Sequence, residues 1–200
     1  MNKRGYHYIK RCIDILFSAI FIILFFFPGV FIAVIIKCSS KGSVFFSQTR
    51  IGINGKHFTM YKFRTMRSDT PKNMPTHLLE NPEVYITSIG AFLRKSSLDE
   101  LPQLVNIFLG DMSFVGPRPA LWNQDDLIEQ REILGVNQIK PGLTGWAQIN
   151  GRDELDIITK SHMDREYVDH ESFSFDLKCL LMTVMAVIRR DGIKEGADKK

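Results

Sequence analysis

The longest uninterrupted feature of the hydropathy pattern is the run from Ile15 to Ile36, 22 positions without a charged residue. As a straight helix it would reach about 33 Å at about 1.5 Å per residue, enough to cross a hydrocarbon core of about 30 Å. Pro28-Gly29 stands near its middle. Proline removes a backbone hydrogen bond and crowds the preceding turn, so the helix is predicted to kink or break there. Lys3, Arg4, Lys10 and Arg11 precede the run, and Lys37, Lys41, Arg50 and Lys56 follow it. A simple span carries its basic excess on one side. Matched flanks predict a helix-break-helix that enters and leaves by the cytoplasmic face, with a kinked transmembrane helix as the competing reading. Asp14, at the edge of the run, is expected to stay hydrated or to pair with Arg11.

Beyond the run, the pattern shortens. Ser43–Gln48 and Lys56–Met66 alternate roughly as strands around a turn at Gly52–Gly55. The second strand would place Tyr61, Phe63 and Thr65 on one face and Lys62 and Arg64 on the other, either as a solvated basic face or as phosphate contacts. Residues 68–84 are polar, contain Pro71, Pro75 and Pro82, and are predicted to be a flexible loop or lid. Ile86, Ile89, Phe92 and Leu93 recur at helical spacing, as do Leu101, Leu104, Val105 and Phe108, and both stripes predict core helices. Residues 122–134 predict a polar helix, and Lys140–Arg152 a turn feeding a short extended segment in which Trp146 anchors the core or an interface. The last element, about Phe175–Arg190, is apolar but too short to span. It is predicted to lie in the core or in the membrane interface.

Charge sharpens this picture. Residues 1–67 hold 11 Lys and Arg against one acid, Asp14, leaving 15 basic and 21 acidic residues for the remainder. A basic half beside an apolar segment predicts contact with an anionic membrane surface or with phosphorylated substrates. Nucleic acid is not expected as a partner, because no recognition-helix or zinc-finger pattern accompanies the basic residues. Cys12, Cys38 and Cys179 are isolated, form no CxxC pair and suit a reducing compartment. The apolar run is longer than the usual core of a signal peptide and no small-residue cleavage site follows it, so a cleaved leader is not expected.

The chemistry concentrates in Ser96–Pro119. Asp99 and Glu100 are adjacent at the expected start of an apolar helix, and Gly116-Pro117-Arg118-Pro119 follows that helix with a stiff turn bearing a guanidinium. Ser97-Leu98-Asp99-Glu100 fits a capping box, in which Ser97 caps the helix and Glu100 bonds back to it. The same position also suits phosphate chemistry. Free N–H groups at a helix N-terminus favour an anion, an ionised aspartate can attack phosphorus, and an adjacent carboxylate can bind Mg²⁺. Arg118, approached rigidly between prolines, suits bidentate phosphate contact. Asp111, after Gly110, reads as a turn or cap residue with a second metal contact as the alternative.

At these residues the chain resembles the small monotopic phosphoglycosyl transferases, bacterial sugar-1-phosphate transferases that act on polyprenol phosphate, and within them the bacillosaminyl type. The resemblance is carried by the basic N-terminus and apolar hairpin, Gln48–Gly52, Tyr61–Met66, Ser97–Gln103, Gly110–Pro119 and Lys140–Arg152. It implies a ping-pong reaction at the cytoplasmic face of the bacterial inner membrane. Asp99 would attack the β-phosphate of a UDP-sugar, release UMP and form a sugar-phosphoryl aspartate, which polyprenol (undecaprenol) phosphate then resolves. Glu100, with Asp99, would hold Mg²⁺. Arg118, with Pro117, and Lys62, Arg64 and Arg152 match basic positions that would hold phosphates or the uridine end, and Asp176 matches an aspartate near the C-terminal helix.

The resemblance further implies membrane lipids and downstream glycosyltransferases as partners. For the sugar it points first to an N-acetylated amino sugar such as UDP-N,N'-diacetylbacillosamine, on the shortness of the chain, and second to UDP-glucose or UDP-galactose. A non-catalytic membrane-anchored scaffold is the alternative of another class. The expected fold is α+β and mostly helical. Residues 1–40 would form the basic N-terminus and re-entrant membrane helix, and residues 41–200 a compact cytoplasmic catalytic domain with short strands and interfacial amphipathic helices. One position departs from the family: related enzymes often carry serine before the membrane proline, where this chain has Phe27. Gly29 or a shifted kink is the expected compensation.

Overall fold

The computed structural model describes residues 3–70, 81–151 and 155–189. The apolar run belongs to two helices, α1 (Lys3–Leu24) and α2 (Phe26–Ser39), bent by 59° where they meet. The break lies upstream of Pro28 for a simple reason. Pro28 has no N–H to return to the carbonyl of Leu24, four residues earlier. Around it the ladder is kept, with Phe25 N donating to Phe21 O at 2.9 Å and Gly29 N to Phe25 O at 2.8 Å. The kink therefore lies ahead of Phe27, between Leu24 and Phe26. Among the described residues no single helix is long and apolar enough to cross a membrane, and only the bent pair meets that length and composition.

Strands β1 (Phe45–Ile51) and β2 (His57–Phe63) pair antiparallel through the expected turn, with Phe45 opposite Phe63 and Ile51 opposite His57. Helix α3 (Ser88–Lys95) begins at Thr87, whose side chain accepts from Gly90 N at 3.0 Å. Gly90 lets this helix lie directly on the chain after β2, since a Cβ there would stand 1.9 Å from Thr65 O. Next come α4 (Gln103–Leu109) and β3 (Ser113–Val115), then α5 (Asp125–Ile133) and β4 (Gly142–Thr144), which pairs parallel with β3. The chain closes with α6 (Trp146–Ile149), α7 (Ile157–His170) and α8 (Phe173–Arg189).

Two of these elements correct the sequence reading. Among its described residues, 140–151, the segment expected to be extended forms a strand only over β4 and then turns into α6. Helix α7 had no predicted counterpart, because two of its four buried residues, Ser161 and Asp164, are polar and Tyr167 and Val168 alone leave no apolar stripe to detect.

Both limbs of the bent pair are fastened to the same body. The α1 residues Phe21 and Ile22 join a core of Met60, Leu104, Ile107 and Met112, while Ile36 of α2 is buried with Phe63 and Leu93. Each such side chain removed from water contributes about 1.5–3 kcal/mol. Polar contacts reinforce the fit. Arg11 donates to Ile107 O and Phe108 O at 2.6 and 2.8 Å, satisfying the last carbonyls of α4 with a cation where the helix dipole favours one. Asp14 is neither hydrated nor spent on Arg11; it is buried and accepts from Phe114 N at 3.2 Å.

The outer surfaces of α1 and α2 stay apolar and exposed, with Ile23, Phe27 and Phe31 at 76%, 79% and 67%. Leu177, Leu181, Val184 and Ile188 of α8 are exposed as well, so that helix is apolar beyond the stripe it buries.

Candidate active site

The acidic pair does not begin an α-helix. Leu98–Glu100 form a single 3-10 turn, and α4 starts only at Gln103. Pro102 has no N–H to offer Leu98 O, so Leu101 N takes that carbonyl instead at 3.3 Å, the tighter 3-10 connection. The capping box is likewise absent. Ser97 sits in the left-handed region at φ 55° and its side chain makes no cap bond. What orients Asp99 is packing: Leu98 joins the Ile36, Phe63 and Leu93 cluster, and Leu101 joins both that cluster and the one holding Phe21 and Ile22. The acids thus ride on a turn wedged against both limbs of the apolar helix pair.

Two sequence-distant cations converge on that turn. Lys62 Nζ stands 2.7 Å from Glu100 Oε1 and 3.9 Å from Asp99 Oδ2, and Arg118 Nη1 stands 3.5 Å from the same Glu100 oxygen. Lys62 is therefore not on a solvated basic face. It lies on the inner side of β2 with buried Met60, leaving its side chain 15% exposed. Burial pushes the Asp99 carboxyl above the ordinary aspartate range; Lys62 opposes the rise, Glu100 adds to it, and Arg94 and Arg118 oppose it more weakly. Burial pulls Lys62 below the ordinary lysine range against the holding effect of Glu100 and Asp99.

Arg94 is a cation near Asp99 that the sequence reading missed. It closes the last turn of α3, where a basic residue is favoured, and its Nε donates to Thr65 Oγ1 at 2.9 Å.

Other expected site residues fall elsewhere. Arg64 is buried and turned to the chain after α2, donating to Lys41 O at 2.6 Å and to Ser40 O and Oγ at 3.0 and 2.9 Å. That contact ties the end of the apolar pair to β2. Asp176 lies in a buried network, accepting from Tyr6 at 2.8 Å, from Tyr167 at 2.6 Å and from Lys10. Burial beside this carboxylate pushes both phenols above their ordinary range, so they remain donors. Asp111 accepts from Asn106 Nδ2 at 3.3 Å, and Gly110 ends α4 in the left-handed conformation, a turn as expected. Arg152 lies outside the described residues, as do residues 71–80 of the expected loop.

Among the described residues no group of three or more His, Cys, Asp or Glu is arranged to hold a metal ion. Mg²⁺ does not require one, since it is commonly held by one or two carboxylates together with substrate phosphates and water. Asp99 and Glu100, with side chains 11% and 16% exposed, supply a donor set of that kind. A turn with two carboxylates and surrounding cations can bind a diphosphate and present an oxygen nucleophile to it.

Comparison with known proteins accords with this chemistry. The sequence pattern described as "Bacterial sugar transferase" matches residues 5–190. The chain is similar to the protein named "Uncharacterized sugar transferase EpsL" of Bacillus subtilis (strain 168), 43% identical over 166 residues that cover 83% of this chain and 80% of that one. It is also similar to the "Exopolysaccharide production protein ExoY" of Rhizobium meliloti (strain 1021), 37% identical over 192 residues, 89% of this chain and 84% of that protein. A third relative, the "UDP-glucose:undecaprenyl-phosphate glucose-1-phosphate transferase" of Escherichia coli (strain K12), is 39% identical over 183 residues, 88% of this chain but 39% of that longer protein. An acid pair packed against a bent pair of apolar helices, ringed by cations, thus coincides with an almost end-to-end family match, and the chain belongs to the bacterial sugar transferase family.

Proposed function

We propose that this protein transfers a sugar 1-phosphate from a UDP-sugar to polyprenol phosphate, releasing UMP, through a covalent intermediate on Asp99. The observation that carries the proposal is Asp99 held 3.9 Å from Lys62, beside a Glu100 oxygen shared by Lys62 and Arg118, on a turn packed against the apolar helices. An Asp99 oxygen attacks the β-phosphorus, and the bond from that phosphorus to the oxygen bridging the α-phosphate breaks. UMP leaves and a sugar-phosphoryl aspartate forms. An oxygen of polyprenol phosphate then attacks the same phosphorus, the bond to Asp99 breaks, and the carboxylate is regenerated. Both nucleophiles are anions, so neither step needs a base.

Lys62 and Arg118 serve this sequence by holding the transferring phosphoryl oxygens and lowering the charge the nucleophile must approach. Asp99 and Glu100 would hold Mg²⁺, which supplies further neutralisation of the diphosphate. The apolar pair is read as a re-entrant membrane segment. In support, both of its ends bond to one body, Tyr6 to Asp176 and Ser40 to Arg64, whereas a span would part them by a bilayer thickness. The active turn then faces the cytoplasm at the membrane surface.

For the donor, relatives named for glucose-1-phosphate and galactose transfer favour a hexose, and the N-acetylated amino sugar implied by resemblance is the competing choice. The experiment is UMP release from a panel of UDP-sugars with undecaprenol phosphate and Mg²⁺, by the parent and by Asp99→Asn. The parent is expected to release UMP and to trap labelled sugar phosphate, and the variant to do neither. Full activity in the variant removes Asp99 as nucleophile, and no release by the parent with any donor favours a non-catalytic scaffold.

A further inference from the structure

The turn that carries Arg118 cannot hold itself in place. Pro117 and Pro119 have no N–H, so the segment must be gripped through its carbonyls. Four successive carbonyls are taken by donors from three parts of the chain. Pro117 O accepts from Gly142 N at 2.9 Å and Ala120 O from Ile51 N at 3.0 Å. Arg50 Nη1 reaches Pro119 O at 3.0 Å, and Arg131 Nη1 reaches Arg118 O itself at 2.7 Å.

Arg131 is the deepest of these anchors. It is 4% exposed and its other nitrogens, Nε and Nη2, meet Asp164 Oδ2 at 3.0 and 2.5 Å, with Asp164 at 1%. Arg131 comes from α5 and Asp164 from α7. A buried ion pair is a poor device for stability alone, since apolar side chains of like volume usually do as well. A planar guanidinium can, however, hold a carboxylate with one edge and a carbonyl with another, and so fix a distant backbone atom in direction as well as distance.

We propose that Arg131, locked in orientation by Asp164, is a positioning residue that sets where the Arg118 guanidinium stands against Glu100. It acts through the backbone carbonyl of Arg118 and touches neither substrate nor metal. The inference rests on the reading of Arg118 as a phosphate-holding group.

The test is a cycle in the full chain: parent, Arg131→Lys, Arg118→Ala and the double variant. Each is measured for kcat/KM of UMP release, with the donor that the UDP-sugar panel identifies, and for its thermal unfolding midpoint. Lysine keeps the charge beside Asp164 but has a single compact head that cannot also hold Arg118 O. We expect Arg131→Lys to lower kcat/KM at least tenfold in the parent and less than twofold in the Arg118→Ala background. The unfolding midpoint should fall equally in both, which separates position from stability. Equal fold losses in the two backgrounds would overturn the inference, and parent-level activity in Arg118→Ala would overturn the reading of Arg118 and the inference with it. Should Arg131→Lys not fold, Asp164→Asn, which removes the negative charge that both Nε and Nη2 meet and so loosens the guanidinium, is expected to show the same dependence on Arg118 at smaller amplitude; its absence there overturns the inference equally.

Discussion

Replacing Lys62 with methionine should make the reaction depend on pH in a way that simple loss of a phosphate contact cannot. Methionine is unbranched and of similar length, so it fills the space on the inner side of β2 without the positive charge. In the parent that charge stands 3.9 Å from Asp99, with side chains 15% and 11% exposed, so solvent screens the pair little. At an effective dielectric constant of about 20, opposite charges at this distance attract by about 4 kcal/mol, which at about 1.4 kcal/mol per pH unit bounds the effect at about 3 units. Opposite charges this close commonly move a carboxyl by about one to three pH units.

The sign follows from which form of Asp99 the lysine favours. Lys62 stabilises the carboxylate against the upward push of burial, so its removal raises the Asp99 carboxyl further. The nucleophile must be ionised, and kcat/KM reports groups of the free enzyme. The acid limb of the kcat/KM profile should therefore move to higher pH by about one to three units, costing about 10-fold to 1000-fold at low pH and recovering as pH rises. Burial also lowers Lys62 itself, so the parent should lose activity on an alkaline limb below the ordinary lysine range, a limb absent from the variant. The assay is UMP release across pH with saturating undecaprenol phosphate. A loss of the same factor at every pH would refute the reasoning and reduce Lys62 to a phosphate contact.

Two further outcomes probe the frame around the site. Single cysteines placed at Lys3 and at Lys41 in a cysteine-free background should label from the same side of sealed membranes with an impermeant maleimide; opposite-side labelling would make the bent pair a crossing. Asp176→Ala leaves Tyr6, Tyr167 and Lys10 without their shared acceptor, and breaking a buried pair costs about 3–5 kcal/mol. The unfolding midpoint should drop, with the folded fraction keeping its KM for the donor; a raised KM at unchanged stability would instead place Asp176 against substrate.

The parts of this protein that depend on local pattern were legible in the sequence. An apolar run of bilayer length, a proline to interrupt it and cations at both ends require a broken helix whatever surrounds them. The β1–β2 hairpin announces itself through alternation and a Gly-containing turn, and the helices α3, α4 and α8 through apolar spacing. Asp99, Glu100 and Arg118 could be singled out because acids and a proline-flanked arginine so close in sequence carry their own chemistry.

Tertiary structure decided what each charge does, because that depends on which neighbours long-range packing brings within a few ångströms. Lys62 and Arg64 are two residues apart on one stretch of chain, yet one meets Glu100 and the other binds the carbonyls of Ser40 and Lys41. β2 ends between them, and Arg64, whose N–H bonds Val44 O at 2.9 Å, lies beside the chain that leaves α2. Ser97 has the sequence of a cap but not the geometry, because its backbone is left-handed at φ 55° and Glu100 N bonds its carbonyl rather than its side chain. Helix α7, half of whose buried positions are polar, could be placed only once Arg131 and Asp176 had come to meet it. Sequence alone thus determined that an acid pair and a broken apolar helix exist; the fold determined that the two helices of the bent pair form the floor on which that acid pair stands.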